Sequence, residues 1–250
     1  MRQLLLLTAG ALIAGTSIPA AQAGPVTLYF ADLQPLNNSG VSGRARLELL
    51  DGNRLLVEIV ASGLTPDQPH AQHIHGRFSN GATGSPVNSV TPTLANDTDG
   101  DGFIEVLEGA AAYGPVILPL SSPPAQNDDP STQTFPTAPG GVINFRQIYD
   151  LSNEGQFFDP LAGTDYDGSD VLPLDLREIV LHGMFVEEGV GAGTDGEVNG
   201  TGGYLPVLPV AAGEIQAIPV PPAVFAAIPL FAALGGRSWL KKRLRGQRAE

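Results

Sequence analysis

The chain has 250 residues, 31 of them Gly and 22 Pro, with no Cys and a formal net charge of −13. Acidity of this size disfavours a nucleic-acid partner, because the surface repels phosphate. The absence of cysteine excludes disulfides, thiolate metal sites and cysteine nucleophiles. The glycine and proline content predicts short strands and many turns, in one domain with extra segments.

Charge is unevenly spread. Arg237, Lys241, Lys242, Arg243, Arg245 and Arg248 crowd the C-terminal end and include both lysines. Away from the two ends, only Arg44, Arg46, Arg54, Arg77, Arg146 and Arg177 stand against a large excess of carboxylates. An acidic body with a basic tail reads as two segments for two environments.

The ends carry targeting features. Met1-Arg2, an apolar run over residues 4–15 and Ala21-Gln22-Ala23 predict a secretory signal over 1–23, cleaved after Ala23. The run falls short of the roughly 20 apolar residues a membrane span needs. At the other end, Ile218-Pro219-Val220-Pro221-Pro222-Ala223 precedes an apolar stretch over 224–236 and then the basic cluster. Residues 218–250 therefore read as an apolar anchoring helix with a cytoplasmic C-terminus.

Between the ends, residues 24–217 read as strands. Residues 26–33 alternate apolar and polar. Residues 43–50 and 54–62 flank Asp51-Gly52-Asn53, a strong hairpin signal. Ala45, Leu47 and Leu49 should face one side of the first arm, and Arg44, Arg46 and Glu48 the other. Residues 64–69 form a loop leading into a histidine strand at 72–76. Residues 78–92 read as a polar loop, 113–120 as an apolar strand, 121–141 as a loop and 142–151 as a strand. Residues 153–170 read as a solvated acidic loop, in which Asp165, Asp167 and Asp170 fill no complete cation template. A second histidine strand spans 174–186. A Gly-rich turn region covers 189–203, and a last strand covers 205–215, its prolines suited to a sheet edge.

Two constellations carry chemistry. Residues 97–108 fit the twelve-residue EF-hand calcium loop. Asp97, Asp99 and Asp101 offer carboxylates at positions 1, 3 and 5, and Gly102 supplies the turn at 6. Phe103 offers its carbonyl at 7, Ile104 is apolar at 8, and Glu108 is the bidentate ligand at 12. The alternative is an acidic surface turn. Residues 105–113 predict a short exit helix, whereas Pro92 spoils an entering one. The insertion over 96–113 is thus a lone structural calcium loop on a β domain.

The second constellation is histidine. His70, His73 and His75 fall together, and His182 lies on the later strand. Residues i and i+2 of a strand share a face, so His73 and His75 project side by side. With His182 they offer three copper or zinc ligands, His70 being a candidate fourth. The alternative is a cross-strand hydrogen-bonding role with no metal. No nucleophile elbow, zincin helix, phosphate loop or dinucleotide fingerprint is present.

The tail resembles PEP-CTERM sorting signals of the Val-Pro-Leu-Pro-Ala type. This implies a Gram-negative envelope or extracellular matrix, processing by an exosortase-like enzyme, and at least transient membrane anchoring. The body resembles the CHRD domain through the 43–62 hairpin, Gly63-Leu64, His73-Ile74-His75-Gly76, the 177–183 segment and Pro209-Val210-Ala211-Ala212-Gly213-Glu214-Ile215. It is also distantly similar to copper/zinc superoxide dismutase, a Greek-key antiparallel β-sandwich in which a His-x-His strand and a late Val-x-His strand supply copper ligands. By that resemblance His73, His75 and His182 are the matching positions. The dismutase family's further histidines, cysteine pair and active-site arginine have no counterpart here.

The first expectation is therefore an exported, non-enzymatic, mostly β protein with structural calcium. It would act by binding, with exopolysaccharide or a surface protein as partner. The alternative is a copper- or zinc-binding redox or metal-sequestering protein built on the histidines.

Overall fold

Asp51-Gly52-Asn53 turns the chain through positive φ at Gly52 and Asn53, and the strands on either side pair residue for residue from Ser42↔Ser62 to Leu50↔Arg54. The computed structural model describes residues 27–218. The signal expected over 1–23 and the sorting segment beyond residue 218 lie outside the described residues. Among the described residues no helix is long and apolar enough to cross a membrane.

The strands are β1 Thr27–Pro35, β2 Ser42–Leu50, β3 Arg54–Ser62, β4 Gln72–Phe78, β5 Pro86–Val87 and β6 Val116–Pro119. Then come β7 Val142–Asp150, β8 Phe158–Asp159, β9 Thr164–Asp165, β10 Arg177–Val186, β11 Gly203–Glu214 and β12 Gln216–Ala217. One helix, α1 Val106–Tyr113, precedes β6. The main sheet path runs β5-β4-β10-β11-β1-β2-β3-β7, with β6 on β4 and β12 on β1. Its pairings are antiparallel.

Strand β1 joins two layers. Its residues up to Leu33 pair with β2, while Gln34 and Pro35 pair with Ala212 and Ala211 of β11. One layer is thus β12, β1, β2, β3 and β7; the other is β6, β4, β10 and β11. The layers share one core, in which Leu47, Val57 and Ile59 of the first meet Ile74, Ile179 and Leu181 of the second. Each side chain buried there contributes about 1.5–3 kcal/mol. The outer face of the first layer is solvated and charged, with Arg46 and Arg146 both paired to Glu58. Alternation in β2 and β3 follows from that one-sided burial. Ala45 and Leu47 are fully buried and Leu49 is half-buried, as the sequence predicts.

Three boundaries differ from expectation. Tyr113 ends the helix expected over 105–113 and does not open the strand expected over 113–120, since α1 begins at Val106 and Gly114 stops it at φ 85°. The 153–170 stretch is no solvated loop: Phe157, Phe158 and Tyr166 are buried, Tyr166 stacks on Phe78, and β8 pairs with β9. Strand β11 is interior where Ala211 and Ala212 meet β1, and Pro206 and Pro209 fall in the stretch that pairs with β10 alone.

Candidate metal centre

In β4, Ile74 points into the shared core, so the alternating His73 and His75 point to the opposite face. In β10, Ile179 and Leu181 take the core side, leaving Glu178, Val180 and His182 on the histidine side. The register opposes His73 to Val180 and His75 to Glu178, bringing His182 beside the pair. This second face is also covered. Val180 packs with Leu36, Ile104, Tyr113 and Ala212, so α1 and the acidic-loop segment form a third layer here. The sequence 177–183 is therefore buried without a break.

Two local irregularities orient the imidazoles. Between His182↔Pro209 and Met184↔Leu205, β11 carries extra residues, and this bulge turns the Val207 carbonyl onto His182 Nδ1 at 2.5 Å. Pro206 and Pro209 suit it because neither has an N–H to leave unpaired. At the end of α1, the Gly114 carbonyl accepts from His75 Nδ1 at 2.9 Å. A side chain at Gly114 would place Cβ 2.3 Å from the Gly76 carbonyl oxygen, at a φ that favours glycine.

A carbonyl oxygen only accepts, so Nδ1 carries the proton in His75 and His182 and the lone pair lies on Nε2. Those two Nε2 atoms, and Nδ1 of His73, are buried without a hydrogen-bond partner. The three side chains can each place a ring nitrogen so that all three lie within 4.8 Å of one another. Ring centroids are 5.1 Å apart for His73–His182, 5.6 Å for His73–His75 and 6.0 Å for His75–His182.

Burial holds all three neutral. It pushes His73 well below the ordinary range, with His182 and His75 adding repulsion. It takes His75 down to about 4 against the opposing Gly114 bond, and His182 to about 3 with help from His75. Neutral imidazoles with free lone pairs are what copper and zinc bind. Three protein ligands is also the number that leaves a metal room for an exchangeable one. A purely hydrogen-bonding role fits poorly: the histidines do not bond one another, and each partnerless buried nitrogen costs about 1–3 kcal/mol.

His70, the candidate fourth ligand, is not part of this cluster. It is fully buried, with Nδ1 facing the His182 carbonyl at 2.8 Å and Nε2 facing the Thr65 carbonyl at 2.9 Å. Both nitrogens face carbonyl oxygens away from the trio, and a neutral ring donates to one of them, which ties the 65–70 loop to the His182 backbone or to itself. Glu178, opposite His75, is fully buried; Oε1 accepts from Thr91 Oγ1 and Oε2 has no partner. Burial raises its pKa to about 8, with Glu214 adding to the rise against the Thr91 bond.

The acidic loop adopts a closed turn. Asp97, Asp99 and Glu108 bring carboxylate oxygens within 4.8 Å of one another. Asp101 stands outside that trio; its Oδ1 accepts from Phe103 N at 2.8 Å and its Oδ2 is buried without a partner. Asp97 accepts from the amides of Gly100 and Gly102 at 2.7 and 2.9 Å, and Gly102 takes φ 92°. Glu108 bonds back to Thr98 N, Thr98 Oγ1 and Glu105 N, which closes the loop onto α1. Only a 3₁₀ turn, Leu94–Asn96, precedes it, so the entering helix is missing as the proline predicts.

Several functional neighbours were not legible from the sequence. Asn37 donates to the Ile104 and Pro209 carbonyls, both at 2.9 Å, and accepts from Ile104 N at 2.7 Å, tying the loop to the sandwich. Phe135 meets His73 edge-on at 5.3 Å. Glu105 accepts from Val198 N at 2.6 Å, and burial, with Glu197 nearby, brings its pKa to about 7. Asn37 and Phe135 reach the site from distant loops, and Glu105, within the acidic loop, is met by Val198 from another, with no local periodicity to announce these contacts. Neither the family models nor the curated proteins compared with the chain give a match.

Proposed function

We propose that this chain is a transition-metal-binding protein that holds copper or zinc through His73, His75 and His182, for redox chemistry or metal sequestration. The observation that carries the reading is the convergence of three buried imidazoles, each with a ring nitrogen that has no partner in the protein. The Gly114 and Val207 carbonyls support it further, because fixing the tautomer of a ligating histidine is the usual task of the groups behind it. A bound ion would supply Lewis-acid or electron-transfer chemistry, and the chain's own part is to hold neutral donors ready and exclude water. The resemblance to CHRD domains and to the Greek-key dismutase sandwich agrees with this placement of the histidines.

The test is metal content of the full chain after equilibration with copper or zinc and removal of excess ion. About one ion per chain is expected, lost in His73→Ala and in His75→Gln, with the far-ultraviolet spectrum retained. No uptake by the wild type, or equal uptake by both variants, would sink the reading.

A calcium role stands beside it, favoured by the convergence of Asp97, Asp99 and Glu108. In this reading calcium is structural, with Asp101 and the Phe103 carbonyl completing an EF-hand-like ligand set. The features of residues 1–23 and 218–250 support export, and the body's resemblance is what makes the exported protein a CHRD-type one. Its sorting tail would be handled by an exosortase-like enzyme, with exopolysaccharide or a surface protein as a binding partner.

A further inference from the structure

The imidazoles face a cavity of about 200 Å³ whose other walls are mostly apolar, with Val106, Val116, Phe135, Leu161 and Val207; the one further polar side chain is Gln133, whose Nε2 is buried without a partner. A second chamber of about 260 Å³ shares His75, Val106, Val116 and Leu161 with the first. Leu161 lines both yet is 63% exposed, and Leu107 of the second chamber is 82% exposed, so apolar side chains stand at the opening. Neither chamber is lined by Arg or Lys among the described residues. The one carboxylate, Asp159 in the second, accepts through Oδ1 from the amides of Leu161 and Ala162 at 2.8 and 3.0 Å.

From this lining we infer that the histidine centre takes neutral donor molecules bearing an apolar group of about phenyl size. The inference rests on the proposed metal reading and adds the ligand class to it. A metal's own charge attracts an anion at any site, and these walls add no positive charge to that attraction because they hold no cation. What they add is affinity for apolar surface withdrawn from water, which scales with the area buried. Concave apolar chambers with a few convergent polar atoms are the usual form of small-molecule sites.

The experiment uses the full chain loaded with one equivalent of copper(II), titrated with imidazole and with 4-phenylimidazole. Binding is followed through the visible copper band and by calorimetry. The phenyl compound is expected to bind about 10-fold more tightly or better, from burial of its ring. Leu161→Ser, a change at an exposed position, should reduce that ratio by about 3-fold while copper content and imidazole affinity stay the same. Equal affinity for the two compounds, or a ratio indifferent to Leu161→Ser, overturns the ligand class and leaves the metal reading intact. Failure to take up copper or zinc at all overturns both.

Discussion

Replacing Asn37 by alanine tests how the acidic loop is held to the sandwich. The Asn37 amide satisfies both backbone groups of Ile104 and also the Pro209 carbonyl, at 2.7–2.9 Å, and the residue is only 7% exposed. Three hydrogen bonds at about 1 kcal/mol each suggest a loss of about 3 kcal/mol. Asn37 also sits at φ 54°, where alanine is disfavoured by a further ~1 kcal/mol. Asn37→Ala should therefore lower the unfolding free energy by about 3–4 kcal/mol, a large share of an ordinary domain's stability. Asn37→Gly, free of the backbone penalty, should be about 1 kcal/mol less damaging. Urea unfolding of the three proteins measures both differences, and hydrogen exchange at the Ile104 amide should accelerate in the two variants. A wild-type-like midpoint for Asn37→Ala, or an unchanged Ile104 exchange rate, would refute the anchoring role.

Two further outcomes follow from the buried acid and the acidic loop. The folded state raises the Glu178 pKa to about 8, so its contribution is fully present below the unfolded value near 4.5 and is lost as pH rises through about 8. Relative to Glu178→Gln, the wild type should lose up to ~5 kcal/mol between pH 4.5 and 8; a gap that stays flat across that range contradicts the burial argument. Calcium at about 100 times its dissociation constant should stabilise the wild type by ~2.7 kcal/mol and leave Asp97→Ala unaffected. Equal thermal shifts in the two proteins, or none in the wild type, would reduce residues 97–108 to an acidic turn.

The two histidine strands show where local reading succeeds and where it stops. That His73 and His75 share a face follows from the two-residue period of any strand. Whether that face is core or solvent does not follow, because β4 and β10 are buried on both sides and their pattern carries no alternation to read. His70 lies three residues from His73 and is closer in sequence than His182, yet it faces two carbonyls while His182 joins the cluster. The 153–170 stretch misleads for a similar reason. Its carboxylates dominate the composition, but Phe157, Phe158 and Tyr166 decide its burial.

Sequence alone determined the mostly antiparallel β character, the Asp51-Gly52-Asn53 hairpin, the side-by-side placement of His73 and His75, and the carboxylate spacing of the acidic loop. Each depends on interactions within a few residues, where periodicity and turn chemistry are sufficient. Tertiary structure decided that His182 completes the trio and that Gly114 and Val207 dictate which ring nitrogens are free. It also decided that Asn37 anchors the loop and that apolar side chains from well-separated segments enclose the centre. Those contacts join residues up to 172 positions apart, and such pairings come from strand register and layer packing. Neither is written in any short stretch of the chain.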